Sequence, residues 1–159
     1  MTNVVALLKE RGQTVATAES LTAGLLCATL VDTPGASAVV RGGLIVYATE
    51  LKHELAGVDQ QLLDEHGAVH PEVALQLAEG ARKRCGSDWG IGLTGVAGPD
   101  PQDGVAPGTV HIGFSGPGVS AVRTITVSGD RKAVRLTAVE KALVLLSGYL
   151  LMTGDGNKR

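Results

Sequence analysis

Aromatic side chains are nearly missing from this sequence: Tyr47, Trp89, Phe114 and Tyr149 are the only four in 159 residues. A binder of single-stranded nucleic acid stacks successive bases on such rings, so that class is disfavoured. There is no basic excess either. Lys+Arg 14 against Asp+Glu 16 leaves a net charge of −2, which argues against a protein that coats DNA through its phosphates. Cysteine is confined to Cys27 and Cys85, without CxxC spacing, and two free thiols are expected rather than a disulfide framework. Long hydrophobic runs are absent too. The greasiest stretch, Ala142 to Met152, is interrupted by Ser147 and Gly148 and is too short for a membrane span. Val4 to Leu8 is too short for the core of a signal peptide. These absences predict a soluble, cytoplasmic protein that binds neither nucleic acid nor membrane.

The compact catalytic signatures are also missing: the sequence holds no GxSxG, SxxK, P-loop, GxGxxG or HExxH. His66 and His70 are four apart, but Gly67 between them and Pro71 after them spoil a shared helical face, so no metal site is expected. What is abundant is glycine. Its 22 residues are about twice the usual share of roughly 7%, which implies tight turns or backbone pressed against a neighbour or a ligand. Hydrophobic residues at 44% suffice for a real core, and the length suits one domain over residues 1–159 with a polar tail from about 152.

Hydrophobic periodicity predicts a helix over 2–11 ended by Gly12, a strand over 14–18, and a helix over 20–31. A strand over 39–48 follows, broken by Gly42-Gly43 in a way that suggests a bulge or a close backbone approach. Short helices are expected near 49–56 and 59–66, and a strong one from Pro71 to about Arg84. A strand over 89–93 leads into a Gly/Pro loop at 95–108 without regular pattern. A hairpin of strands 109–114 and 121–127 comes next, and the last helix runs from Asp130 to about Leu151. Strands interleaved with helices predict an α/β fold: a three-layer α/β/α sandwich around a mixed, mostly parallel sheet of about five to six strands.

Polar residues near the expected loop edges are the candidates for chemistry. Ser20 sits at a strand-to-helix junction, where it could cap the helix or face a ligand. Ser37 lies in the small-residue turn Gly35-Ala-Ser-Ala38. Tyr47 and Lys52 bracket the end of the glycine-broken strand. A lysine there can serve as a base if desolvation lowers its pKa, or it can simply be solvated. Arg131 and Arg135, one turn apart in the first turns of the last helix, oppose the helix dipole. Either they pair with an acid such as Asp130, or they hold a phosphate together with the helix N-terminus.

Six ordered blocks then carry a resemblance: Thr17-Ala-Glu-Ser-Leu-Thr-Ala-Gly24; Gly42-Gly-Leu-Ile-Val-Tyr47 with Lys52; Gly67-Ala-Val-His-Pro71; Thr94-Gly-Val-Ala-Gly-Pro99; Pro107-Gly-Thr-Val110; and Gly129-Asp-Arg131 with Arg135. Over about residues 4–150 they resemble the CinA C-terminal-domain family, whose stand-alone members include nicotinamide mononucleotide deamidase. The resemblance implies a three-layer fold, homo-oligomers, and hydrolysis of the carboxamide of nicotinamide mononucleotide to nicotinic acid mononucleotide and ammonia, with no metal and no cofactor; the alternative is a catalytically weak or inactive member that binds a nucleotide or a partner, linked to competence or DNA damage. The resemblance also implies a site of Ser37, Lys52, Tyr47 and Ser20 for catalysis, with Thr94, Gly95, Arg135, Arg131 and Thr22 for the substrate. Within that set our expectation makes Ser37 the nucleophile, with Ser20 the alternative, Lys52 the base, Tyr47 its relay, Thr94 an oxyanion donor and Arg135 the phosphate ligand. The sequence departs from the family pattern at Leu21 (usually Cys), Ala23 (Gly), Tyr47-Ala-Thr49 (Tyr-Ser-Asn), His70 (Ser) and the glycine-poor Asp100-Pro-Gln-Asp103.

Overall fold

A computed structural model describes residues 3–153. The chain runs α1 (Val4–Arg11), β1 (Val15–Glu19), α2 (Leu25–Val31), a short 3-10 turn (Ala36–Ala38), β2 (Val40–Ile45), α3 (Thr49–Glu54) and α4 (Gln60–His66). It continues with α5 (Pro71–Cys85), β3 (Trp89–Gly95), β4 (Thr109–Gly116), β5 (Val119–Thr126) and α6 (Arg131–Thr153). The five strands form one sheet in the order β2-β1-β3-β4-β5. β1 is parallel to both β2 and β3, β4 is antiparallel to β3, and β5 is antiparallel to β4. Only β4 therefore runs against the other four, and the mixed, mostly parallel α/β sheet expected from the sequence is the observed one. Most of the polar tail expected from about 152 lies outside the described residues.

The side chains explain the layering. Along β1 and β3, Val15, Trp89, Ile91 and Leu93 face α1, α2 and α6, joining Leu8, Leu26, Leu30, Val134, Ala138, Leu146 and Leu150 in one core. Ala16 and Ala18 face the other way, onto a smaller core with Val58, Leu63, Val73, Leu77 and Ala81 of the α3–α5 side. This second layer is close because the strands have no side chains beneath α5. A Cβ on Gly90 would meet the carbonyl of Ala78, and one on Gly92 or Gly113 would meet that of Ala74. Much of the glycine excess thus lets a helix lie directly on the sheet backbone. By length and composition α6 could also cross a membrane, but its Val134, Ala138, Ala142, Leu146 and Leu150 stripe is buried in the first core.

Two expectations need correction, the start of the second helix and the form of the 95–108 loop, while the bulge near Gly42-Gly43 is found as expected. The helix expected over 20–31 begins only at Leu25. Ala23 (φ = 47°) and Gly24 (φ = 93°) are left-handed, and residues 20–24 form a tight turn in which Ala23 N donates to Ser20 O. Ser20 does not cap α2. The buried carboxylate of Glu19 does so instead, accepting from Leu26 N at 2.8 Å and Cys27 N at 3.0 Å, with Thr17 Oγ1 at 2.9 Å. The Gly42-Gly43 irregularity is a bulge just before it. Val15 pairs with Val40 and Ala16 with Gly42, so Arg41 is the extra residue. The 95–108 loop is not irregular throughout. Gln102 and Val105 exchange both backbone hydrogen bonds (3.1 and 2.8 Å) around Asp103 (φ = 51°) and Gly104 (φ = 76°). Two positive φ values in succession define the two-residue turn that Asp-Gly favours.

Candidate active site

The carboxyl ends of β1, β2 and β3 open together, and a cavity of about 490 Å³ lies there. Ser20 and Leu21 contribute from the end of β1, and Tyr47 to Thr49 from the end of β2. The segment Gly95 to Gln102 contributes from beyond β3, and Arg131 from the first turn of α6. A crevice outside the carboxyl ends of parallel strands is where open α/β sheets bind ligands, because the loops there diverge to opposite faces. Arg131 spans the cavity: its guanidinium donates to the Tyr47 hydroxyl and to Gly98 O, each at 2.7 Å. The Gly98–Pro99 peptide is cis. The N–H groups of Ala97 and Gly98 have no hydrogen-bond acceptor among the described residues.

Lys52 lies behind this wall. It is 1% exposed, and its ammonium donates to Val46 O at 2.8 Å and Tyr47 O at 3.2 Å. No carboxylate pairs with it within salt-bridge distance among the described residues. Burial disfavours the charged form and lowers its pKa from 10.5 to about 8, against a small opposing pull from Glu50. The α3 backbone explains the placement: the helix starts right after Ala48 and carries Lys52 back over the end of β2.

The nine residues expected in the site are therefore distributed in space. Ser20, Tyr47, Gly95 and Arg131 line one cavity, and Lys52 supports its Tyr47 edge. Thr94, Thr22 and Arg135 stand behind the lining. The Thr94 hydroxyl donates to Ala68 O at 2.7 Å. Arg135 donates from Nε to Leu21 O at 2.8 Å and from Nη2 to Thr22 O at 3.4 Å, tying the 20–24 turn to α6. The Thr22 hydroxyl is buried without a partner among the described residues. Ser37 is elsewhere. It lines a second cleft of about 530 Å³ with Cys27, Asp32 and Arg41, before the start of β2. Six strand residues at about 3.3 Å each put it roughly 20 Å from Tyr47. Cys27 in that cleft is a free thiol, and burial, then Glu19, push its pKa up, which disfavours the thiolate.

Thr49, Asp100 and Gln102, in two of the stretches that depart from the family pattern, also line the cavity, though none is among the nine expected site residues. Their neighbour Asp103-Gly104 is a turn signal that would have given the loop a shape and an inner face. Glu19 was missed as well; nothing in the spacing announces a cap that reaches a helix seven residues on.

A mixed, five-stranded α/β sandwich with a cavity at the carboxyl edge of its parallel strands defines the class of open α/β domains, whose usual ligand position is that crevice. The comparisons specify it further: the CinA C-terminal domain model matches residues 1–150, and the chain belongs to that family. It is 45% identical over 161 residues to a CinA-like protein of Frankia casuarinae, covering 96% of this chain and 37% of the relative. To a putative competence-damage inducible protein of Geobacillus kaustophilus it is 47% identical over 136 residues, covering 85% and 33%. The chain thus spans little more than a third of the length of these curated relatives. Solved structures of its own size match as well. A competence-damaged protein (CinA) superfamily protein of Klebsiella pneumoniae superposes with TM-score 0.91 at 30% identity over 95% of both chains. The competence/damage inducible protein CihA of Agrobacterium tumefaciens gives 0.82 at 30% identity, over 93% of this chain and 96% of that one.

Proposed function

We propose that this domain is a cytoplasmic amidohydrolase that converts nicotinamide mononucleotide to nicotinic acid mononucleotide and ammonia. The observation that carries this reading is the grouping of the Ser20 hydroxyl and the Arg131 guanidinium in a single cavity whose Tyr47 edge is held by a buried lysine of lowered pKa. A mononucleotide brings one phosphate, and a cavity of about 490 Å³ is in the usual range for such ligands, roughly 300–1,000 Å³. The N-terminus of α6 beside Arg131 adds partial positive charge for that phosphate.

In this reading Ser20 replaces Ser37 as the nucleophile, because it is the serine in the cavity lining. The neutral Lys52 amine takes the Ser20 proton, with the Tyr47 hydroxyl as relay, while Oγ forms a bond to the carboxamide carbon. The carbonyl becomes an oxyanion, held by the free N–H groups of Ala97 and Gly98 rather than by Thr94, whose hydroxyl is engaged with Ala68. Collapse breaks the C–N bond as the Lys52 ammonium returns its proton to the departing amide nitrogen, releasing ammonia and leaving an ester on Ser20. Water, deprotonated by Lys52, then cleaves the ester, and the proton returns to Oγ. A group with pKa about 8 suits both halves, being part neutral and part charged near physiological pH.

The serine assignment is tested by turnover of Ser20→Ala and Ser37→Ala, with folding checked by circular dichroism. Ser20→Ala should lose at least about a hundredfold in kcat, and Ser37→Ala should stay within severalfold of the parent. The reverse order would move the nucleophile to the second cleft. Near-parental rates for both would replace the covalent route by attack of a water.

A further inference from the structure

Two of the four histidines, His66 and His70, stack outside the cavity, and His111 lies near them. His70 is the N-cap of α5, and its Nδ1 accepts from Glu72 N at 3.1 Å. That bond requires an unprotonated Nδ1, hence a neutral ring. The His66 ring from α4 lies against it, with centroids 4.6 Å apart and planes inclined by 35°. From β4, His111 is buried, with its Nδ1 at 2.8 Å from Thr124 Oγ1. The charged and titratable groups around His70 are thus His66 from α4, His111 from β4 and Glu72 from α5. Glu65 stands 3.9 Å from His66, and Asp103 comes in from the pocket loop.

The turn between His66 and His70 carries two contacts that reach the cavity. Ala68 O accepts from Thr94, the residue before Gly95 in the cavity lining. Gly67 (φ = 74°) receives the Asp103 side chain, since a Cβ there would fall 2.8 Å from Asp103 Oδ2. Asp103 is the tip of the tight hairpin whose Gln102 faces the cavity. The inner and outer walls both rest on this one turn, and His70 fastens its end to α5.

We infer that His70 is a pH-sensitive positioning residue for the cavity: its neutral ring caps α5 and holds the 66–70 turn that seats both Thr94 and the 102–105 hairpin. Protonation turns the Nδ1 acceptor into a donor facing Glu72 N–H. It also sets a cation on the positive end of a 15-residue helix, beside two further imidazoles. Burial, and then His70, already push the His111 pKa down, in keeping with a cluster that resists charge. The cap and its turn therefore loosen when the His70 ring is protonated, and the walls loosen with them. A serine at this position would cap without titrating.

The inference about the walls does not need the proposed reaction, and its test is run first on the ligand-free protein. Amide hydrogen exchange of Val73, Gln102 and Val105 is followed from pH 7.5 to 5.5, corrected for intrinsic rates, in the parent, His70→Ser and His70→Ala. The parent should lose about fivefold in protection at all three amides, the equilibrium worth of a helix cap. His70→Ser should keep its protection flat with pH, and His70→Ala should be low throughout. A parent-like pH response in His70→Ser overturns the inference, as does unchanged protection of Gln102 and Val105 in His70→Ala. Where nicotinamide mononucleotide is turned over, the parent's KM should rise on the acid side and that of His70→Ser should not. The exchange result stands even if that substrate is not turned over, so the two readings fail separately.

Discussion

Lys52 is charged at neutral pH in a place that disfavours charge, and this can be read as stability. Its pKa is lowered from 10.5 to about 8, which at about 1.4 kcal/mol per pH unit corresponds to about 3 kcal/mol. Between those values the unfolded chain holds the proton and the folded chain does not, so folding stability rises with pH across that window. Below about pH 8 both states are protonated and the full cost of the buried ammonium is present. The perturbation is Lys52→Met, which keeps the length and removes the titration. At pH 7 its net effect is small, because relief of the buried charge is offset by leaving Val46 O and Tyr47 O without a donor. The informative quantity is the difference between parent and variant in urea unfolding free energy, measured from pH 7 to 10.5. Other lysines and tyrosines cancel in that difference. The parent should gain about 3 kcal/mol on the variant between pH 8 and 10.5. A flat difference would mean that the ammonium is fully compensated by its two carbonyls, and the base role of Lys52 near neutral pH would fall with it.

Other predictions follow from single contacts. The kcat/KM for the nucleotide should rise with pH to a plateau, with its midpoint near the Lys52 value of about 8; a plateau already reached at pH 6.5 would reject that base. Arg131→Ala should weaken nucleotide binding by about 1.5–3 kcal/mol, the scale of a charge-assisted bond, measured by calorimetry. Arg135→Ala should instead cost stability, since Arg135 holds Leu21 O and Thr22 O. Gly92→Ala, driven against the Ala74 carbonyl, should destabilise by about 3 kcal/mol or more in urea unfolding. Ala23→Gly should stabilise by about 0.5–1 kcal/mol, because alanine pays for φ = 47° and glycine does not.

The fold was legible where periodicity and punctuation agree. α5 has Pro71 at its first turn, Glu72 near its start, Arg82 to Arg84 at its end and Gly86 as its cap, and both ends were readable within a residue. The 20–31 segment was misread because Leu and Ala favour helix throughout, while the interactions that delay the helix are tertiary: the Glu19 carboxylate on Leu26 and Cys27, and Arg135 on the turn carbonyls. Of the candidate cavity, several lining residues could be named from the sequence, but not their arrangement. Tyr47 and Lys52 are joined by a short connection, and the structure keeps them together. Ser37 and Tyr47 lie ten residues apart in one strand region, and extended backbone turns that short separation into the length of the sheet. Arg131 and Arg135 share a helix face, yet one turn of helix is enough to put the first in the cavity and the second behind it.

The central claim is tested most directly by incubating the purified domain with nicotinamide mononucleotide and measuring ammonia and nicotinic acid mononucleotide together. The account predicts equimolar release of the two, with nicotinamide riboside, which lacks the phosphate for Arg131, a poor substrate. Absence of both products at micromolar enzyme and millimolar nucleotide would contradict it and leave a CinA-family domain that binds rather than hydrolyses.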